Sequence, residues 1–445
     1  MNARKKNCLE ILLKLEKDDN IINRFSVFNS TSWVCIKNIV YERSLDNISY
    51  ASVSKQGFIS IKFIWLVFVS LLSYVRKVIN HKPQNFYIGA ASGIFNYKGE
   101  YIDTYLPYEI SKNPGVPKND ILYWITATHL DQMWLQRKYI EENSAIVSSF
   151  VVTPFRLFLT KIIKIFLLAN STIKEAAVDV SENLMLEGIN VPQKDIVEMH
   201  SRFCAGYIIY RILLFPFKIK RAYIVSAYSN SEICAVLIKM GAEIIEIQHG
   251  IIGPVHRGYN YAVKSTLLPT PNVVSVYNDF WKNELIEAGY FALNQVVVNR
   301  RLKYNLAEKE IQIFIFPYIV FTGQGMYPKD ISEFINNLML INSSINLVYV
   351  PHPNEDIKYI SIMERTTKNS RVHYALNNII STEKLIKDCV AHISINSSCH
   401  FDAIHYVGRT FVLNLIEGNV MFDYVERYPK SFILISSANE FAEYI

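Results

Sequence analysis

From Ala222 onward the chain alternates short apolar runs with amphipathic stretches. The runs Ala222–Ser226, Ile244–Ile247, Val273–Tyr277, Tyr318–Thr322, Ile345–Val350, Arg371–Tyr374, His392–Ile395 and Thr410–Leu415 are bounded by turn residues and predict strands. Continuous apolar runs of this length fit strands covered on both faces, as in a parallel sheet. Between them, Ser231–Met240, Asp279–Ala288, Asp330–Leu340, Glu355–Arg365, Thr382–Cys389 and Ser397–Tyr406 predict helices. In the third of these, Ile331, Phe334, Leu338 and Leu340 form the apolar stripe. Strands alternating with short helices imply βαβ units. The first 200 or so residues predict mostly helices, with some strands and no sharp boundaries.

A chain of 445 residues is long for one core, so two domains are expected. The polar stretch Asn299–Glu310, with Arg300, Arg301, Lys303 and Lys309, is the natural join. It divides the chain into residues 1–305 and 310–445.

Two segments raise the question of lipid. Phe58–Val75 is an apolar run of 18 residues followed by Arg76 and Lys77. That length is the lower limit for spanning a bilayer, and Lys62 lies inside it, so a buried or interfacial helix is expected. In Thr153–Leu168, helical spacing puts Arg156, Thr160 and Lys164 on one side, with Lys161 beside them and apolar residues on the rest. A similar mix runs through Ile208–Arg221. Such segments suit an anionic membrane surface, or a core helix with a solvated basic stripe.

Polar chemistry gathers where the apolar runs stop, which in open α/β sheets is where ligands bind. The first stop is Gln248-His249-Gly250, followed closely by His256, Arg257 and Tyr259. A glycine there lets the chain turn and a ligand approach, and an imidazole can act as a general base near neutral pH. The second stop is Pro351-His352-Pro353, where two prolines stiffen the turn around an imidazole able to donate to phosphate. The third is Asn396-Ser397-Ser398, ahead of a predicted helix whose free N–H groups favour an anion. Gly323-Gln324-Gly325 closes the first strand of the second unit. His249 is the candidate base, and Asp131 and Asp103 are the next carboxylate candidates.

Half the residues are hydrophobic and 19% are charged, which excludes a disordered chain. A net charge of +6 is too small to argue for nucleic acid, and suits an anionic nucleotide or membrane surface. The six cysteines are scattered, without C-x-x-C, so neither a disulfide framework nor a zinc site is expected and a reducing cytoplasm fits. Met1–Asn20 is charged and lacks a signal-peptide apolar core. Dinucleotide and P-loop glycine motifs are absent, as is Asp-x-Asp, so neither a cofactor nor a metal is expected.

The order Gln-His-Gly, His-Pro, then Ser-Ser before a helix resembles the transferases of bacterial surface polysaccharide synthesis. These include the sialyl- and polysialyltransferases and the CDP-glycerol glycerophosphotransferases. The resemblance covers residues 222–415 and implies the GT-B fold, in which two Rossmann-like doubly wound domains face a central cleft. It implies that His352, Pro353, Ser397 and Ser398 hold the phosphate of a cytidine nucleotide, with Gly323 and Gln324 nearby, and that His249 is catalytic. Gln248, Gly250, His256, Arg257 and Tyr259 would support the acceptor side. The glycerophosphotransferases have Trp where this chain has Gln248. The expected activity is metal-independent transfer of a sugar, foremost a CMP-linked acidic sugar, to a capsule or lipopolysaccharide acceptor. The enzyme would be cytoplasmic and peripheral at the inner face of the plasma membrane. Transfer of a polyol phosphate from a CDP-linked donor, epimerisation of a UDP-sugar, and an inactive scaffold of the assembly complex remain as alternatives.

Overall fold

Two parallel sheets organise the chain. The computed structural model describes residues 2–18, 20–43, 61–80, 83–97, 100–103, 105, 120–126, 133–134, 136–167, 170–253, 256–299, 314–352, 355, 357–367, 369–375, 381–415 and 421–445. The first sheet contains β1 (Asn85–Ala90), β2 (Ile121–Thr126), β3 (Ile146–Val147), β4 (Arg221–Val225), β5 (Glu243–Ile247), β6 (Val273–Val276) and β7 (Val296–Val298). Their order across the sheet is β3-β2-β1-β4-β5-β6-β7, every neighbour parallel. The second contains β8 (Tyr318–Thr322), β9 (Asn346–Val350), β10 (Val372–Tyr374), β11 (Ala391–Ser394), β12 (Thr410–Leu413) and β13 (Phe432–Ile435). Its order is β10-β9-β8-β11-β12-β13, again all parallel.

Both sheets start in the middle, build outward one way, then cross back and build the other way. This is the Rossmann-like, doubly wound pattern. The crossing leaves a switch point between β1 and β4 in one sheet and between β8 and β11 in the other. Two such domains in one chain are the GT-B arrangement.

The strands form where they do because both sheet faces are covered. In the first sheet Phe86, Ile88, Leu122, Trp124 and Ile224 enter one buried cluster. Their alternates Tyr87, Ile121, Tyr123, Ile125 and Tyr223 enter the other. That is the period-two alternation of a strand with an apolar residue at every step. The second sheet divides likewise, with Ile319, Phe321 and Tyr349 on one side and Tyr318, Val320 and Val348 on the other. The strands expected from Ala222 onward lie within about two residues of their predicted ends. Two strands, β7 and β13, and the first-sheet strands β1, β2 and β3 had no sharp signal. Side-chain caps start the helices Asp279–Glu287 and Thr382–Asp388, where Asn278 accepts from Trp281 N and Ser381 from Lys384 N.

The helices Asn2–Asp18, Ile21–Arg24 and Trp33–Arg43 form an N-terminal lobe with Ser171–Leu186 and the start of Gln193–Leu214, around Leu12, Phe25, Trp33 and Ile36. A buried ion pair sits in it. Lys37 Nζ lies 2.7 Å from Glu16 Oε1, and the indole N–H of Trp33 donates to the same oxygen.

The apolar run expected at Phe58–Val75 forms the helix Ile61–Asn80; residues 58–60 lie outside the described residues. Among the described residues, no helix is long and apolar enough to cross a membrane. The helix Ser148–Leu167 corrects one expectation. Arg156 and Lys164 do not form a solvated basic face. Arg156 approaches Glu232 at 3.5 Å, Lys164 approaches Glu198 at 2.9 Å, and Thr160 is buried. The long helix Gln193–Leu214 packs beneath, and its acidic Glu198 draws the cation inward.

Residues from the two sheets' surroundings share one further core. Ile252, Tyr259 and Trp281 pack with Phe401, Met421, Tyr424 and Phe432, and the Trp281 and Phe401 rings lie 4.1 Å apart. Arg427 bridges the same seam, reaching Glu284 Oε1 at 2.5 Å and Oε2 at 2.8 Å. The expected join between the domains falls mostly at residues 300–313, outside the described residues.

Candidate functional site

The residues singled out in the second unit end three adjacent strands. Strand β9 runs into Pro351-His352, β8 into Gly323-Gln324-Gly325, and β11 into Asn396-Ser397-Ser398. The β8 and β11 ends flank the switch point itself. Local geometry makes this edge tight. Gly323 N donates to Val350 O at 2.8 Å. A Cβ on Gly323 would stand 2.2 Å from Tyr349 Oη and 2.7 Å from Glu355 Oε2, so only glycine fits. Glu355 holds the neighbouring turn: its Oε1 accepts from Tyr349 Oη at 2.8 Å and its Oε2 from His352 N at 2.9 Å. The pattern Glu355–Arg365 predicts a helix beginning at Glu355; the helix instead begins at Ile357, which frees the carboxylate for this clamp.

His352 is exposed as a residue, yet nearby protein desolvates its ring enough to lower the imidazole pKa. Pro353 lies outside the described residues. The helix Cys399–Val407 starts two residues later than expected, at Cys399 rather than Ser397, with Ser397 Oγ accepting from Cys399 N at 3.2 Å. Ser397 is buried and Ser398 half-buried. Asn396 Oδ1 is buried and makes no hydrogen bond within the described protein. An unpartnered acceptor beside a helix start leaves both donors and an acceptor for a ligand. Gln324 turns its amide back to Gly323 O at 2.9 Å.

In the first sheet His249 follows β5. Its Nδ1 lies 3.1 Å from Tyr105 Oη, and the two rings are tilted with centroids 5.4 Å apart. Tyr105 is held in turn by Asp103, whose Oδ1 accepts from Tyr105 N at 2.9 Å and whose Oδ2 accepts from Tyr87 Oη at 2.7 Å. Two glycines after and within β1 make this possible. A Cβ on Gly93 would lie 2.2 Å from the Tyr105 ring, and one on Gly89 would lie 2.9 Å from Asp103 Oδ2. Asp103 is buried and engaged, so it positions Tyr105 rather than meeting a ligand. Asp131 lies outside the described residues.

The companions of His249 are scaffolding. Gln248 is fully buried; its Nε2 donates to Gly250 O at 2.9 Å and its Oε1 accepts from Tyr277 N at 3.0 Å. Tyr277 Oη also donates to Gln248 O. His256 keeps some exposed surface, but its ring lies between Tyr228 and Tyr259. Desolvation first, then Arg257, pushes its pKa down to about 3. Its Nδ1 accepts from Gly258 N at 3.1 Å, so the neutral ring orders the loop and moves no proton near neutral pH. Arg257 turns to the N-terminal lobe, donating to Asn38 Oδ1 at 3.1 Å over the Tyr41 ring. Lys37 and Glu16 reach the same loop, at Asn260 O and Ala262 N.

Tyr259 is buried and donates to Glu246 Oε1 at 2.8 Å, the atom that also accepts from Ala227 N at 3.0 Å. Burial raises the Glu246 pKa to about 8 against these two bonds. Tyr105, Glu246, Glu355 and the Glu16–Lys37 pair were not among the sequence candidates. The run Gly89-Ala90-Ala91-Ser92-Gly93 after apolar Phe86–Ile88 carries a strand-end signal. The partners that glycine admits come from elsewhere in the chain, and no local pattern marks them. Among the described residues, no three His, Cys, Asp or Glu side chains are arranged to hold a metal ion.

No protein-family model matches the chain, nor does any curated protein. Solved structures with a similar course include the S. aureus MnaA–UDP structure, at 10% identity and TM-score 0.47, spanning 81% of this chain and 86% of that one. UDP-GlcNAc 2-epimerase from Neisseria meningitidis bound to UDP-GlcNAc matches at 13% identity and TM-score 0.47, over 81% and 90%. MurG of Acinetobacter baumannii matches at 10% identity and TM-score 0.41, over 81% and 90%. The fold itself is defined by the chain's own strand order: two Rossmann-like domains with polar, glycine-shaped strand ends.

Proposed function

We propose that this chain is a glycosyltransferase that moves a sugar from a nucleotide donor to a glycan or lipid-linked glycan of a bacterial surface polysaccharide or lipopolysaccharide. One observation carries the reading: His352, the Gly323–Gly325 turn and the Ser397–Ser398 helix start end three neighbouring strands around a Rossmann switch point. That edge offers an imidazole N–H, backbone N–H groups and hydroxyls to a phosphate. Scattered free cysteines suit work on the cytoplasmic side.

In this scheme His249 donates Nδ1–H to Tyr105 Oη, and Nε2 is the atom that takes the proton of the acceptor hydroxyl. As Nε2 takes the proton, the hydroxyl oxygen bonds to the anomeric carbon of the donor sugar. The bond from that carbon to the phosphate oxygen breaks, and its electron pair stays on the nucleotide. His352 and the amide groups ahead of the helix Cys399–Val407 stabilise that charge.

Resemblance of the His-Pro and Ser-Ser elements makes a CMP-linked acidic sugar the first donor to test. Thermal unfolding with CMP, CDP and UDP reads the base. The donors that bind are then incubated with and without a glycan acceptor. A melting point raised by one nucleotide, with release of that nucleotide only when acceptor is present, supports transfer. Product formed from a UDP-sugar without acceptor identifies an epimerase instead, and transfer from a CDP-polyol identifies a polyol-phosphate transferase. No response to any nucleotide overturns the assignment and leaves a scaffold.

A further inference from the structure

The two most apolar helices of the chain are built inside out. In Ile61–Asn80 three polar residues face the protein: Ser70, Ser73 and Lys77 are buried. Ser70 Oγ accepts from Val147 N at 3.1 Å, and Lys77 Nζ donates to Ile121 O at 3.0 Å. Burial lowers the Lys77 pKa, with Asp120 opposing. The outward stripe is Ile64, Phe68, Leu71, Val75 and Ile79, with Phe68 62% and Ile79 72% exposed. In Ser148–Leu167, Arg156, Thr160 and Lys164 turn inward as described, and Phe155, Phe158, Ile162 and Ile165 turn outward, Phe158 68% exposed. The two helices pack against each other beside the edge strand β3. Tyr74 Oη also donates to Leu213 O at 2.9 Å, which brings the end of the helix Gln193–Leu214, with exposed Ile212 and Phe215, to the same side.

A soluble surface helix has the opposite polarity, with its apolar stripe against the core. Here hydrogen-bonding side chains are spent on the interior, and large apolar groups are left outside in one continuous field. Charge says what covers it. The 40 residues of the two helices contain no Asp or Glu, while Lys62, Arg76, Lys77, Arg156, Lys161 and Lys164 lie among them. Three of these cations are turned inward, and Arg76 and Lys161 stay exposed on the field's own helices. An apolar face whose own two helices carry cations and no acids complements an interface of acyl chains and anionic headgroups. Neither helix is long and apolar enough to span a bilayer, so each would lie along it.

We infer that the paired faces of Ile61–Asn80 and Ser148–Leu167 dock the enzyme on an anionic lipid bilayer, side-on and without spanning it. Leu66, on the inner side of the first helix, packs in one cluster with Ile94, Ile125 and Ile247, and Tyr105 is packed against that cluster. The docking face is thus on the domain that carries His249. The inference does not rest on the reaction proposed above, since it concerns a surface and is tested without substrate.

The test is co-sedimentation of the full chain with vesicles of phosphatidylcholine alone and of phosphatidylcholine with phosphatidylglycerol. The wild type pellets with the anionic vesicles. Phe68→Asp with Phe158→Asp, both at exposed positions that leave the core intact, weakens that partitioning more than about tenfold. Arg76→Gln with Lys161→Gln lowers partitioning roughly twenty-fold on anionic vesicles and leaves the neutral ones unchanged. Thermal melting shows that the variants fold. A wild type that ignores both vesicles, or an Asp variant that binds as well as wild type, overturns the proposal. So does a dimer in sedimentation velocity that the Asp variant dissociates while vesicles go unbound, because then a second copy covers the face.

Discussion

Glu246 is a carboxyl that the fold keeps protonated, and replacing it with glutamine tests this directly. Both of its recorded hydrogen bonds land on one oxygen, Oε1, from Tyr259 Oη and Ala227 N. An amide oxygen accepts those bonds equally well, so Glu246→Gln imitates the protonated acid and removes only the option to ionise. The ordinary pKa of 4.5 rises to about 8 in the folded chain, with burial the leading cause. Between those values the native state holds a proton that the unfolded state has released. The unfolding free energy therefore falls as pH rises through that window. The full span corresponds to about 5 kcal/mol at one pKa unit per 1.36 kcal/mol, an upper bound for a group that can relax. Below pH 4.5 the penalty vanishes, and above pH 8 it is complete.

The assay is urea unfolding of both proteins at intervals from pH 5 to pH 9. Other groups titrate in both proteins, so the readout is the difference between them. Glu246→Gln should gain on the wild type steadily as pH rises, by about 2–4 kcal/mol at pH 9 relative to pH 5. A difference that stays within about 0.5 kcal/mol across the range would refute the reasoning. It would mean that Glu246 is ionised in the fold, and that the Tyr259 and Ala227 bonds outweigh its desolvation.

His249→Ala should bind the nucleotide nearly normally and lose transfer by roughly 10²–10⁴-fold, measured under saturating donor. Tyr105→Phe should cost less and should alter the pH profile of transfer, because the tyrosine hydroxyl pairs with the imidazole at Nδ1. His352→Ala should weaken nucleotide binding by about 1.5–3 kcal/mol in calorimetry with melting unchanged, as expected for a lost hydrogen bond to a charged group. Arg427→Met should destabilise the fold by about 3 kcal/mol in urea, since it strands the buried Glu284 carboxylate, while Glu284→Gln with Arg427→Met should recover most of the loss.

The legible parts of the fold were those in which burial imposes one residue type on several consecutive positions. Strand β8, with every residue buried, could be read directly from its apolar run Tyr318–Thr322. The second sheet is made mostly of such strands, so its βαβ rhythm was visible. In the first sheet β3 has two residues and β7 has three, with Val297 and Val298 exposed. Too few positions are constrained there for a period to show. The helix Ser148–Leu167 misled for a different reason. Helical spacing correctly separated Arg156, Thr160 and Lys164 from the phenylalanines, but spacing is symmetric between inside and outside. Only Glu198 and Glu232, both distant in sequence, decide which side faces the protein.

The same asymmetry governs the site. Strand ends and glycines announce where a ligand can approach, because backbone geometry is local. The groups that fill the space left by each glycine are not local. Gly93 makes room for the ring of Tyr105, which meets His249 from 144 residues away, and Gly323 makes room for Tyr349 and Glu355 from the next βα unit. A methyl group at either glycine would collide with an aromatic side chain that orders a histidine loop. Both halves of the molecule thus use one construction: a bare Cα at the end of the central strand, a tyrosine laid against it, a carboxylate holding the tyrosine, and an imidazole beyond the end of another strand of the same sheet. In the first domain Asp103 accepts from the backbone N of Tyr105, and in the second Glu355 accepts from Tyr349 Oη and from His352 N. The carboxylates are therefore placed to aim each histidine loop, and the proton and phosphate chemistry proposed here falls to the imidazoles.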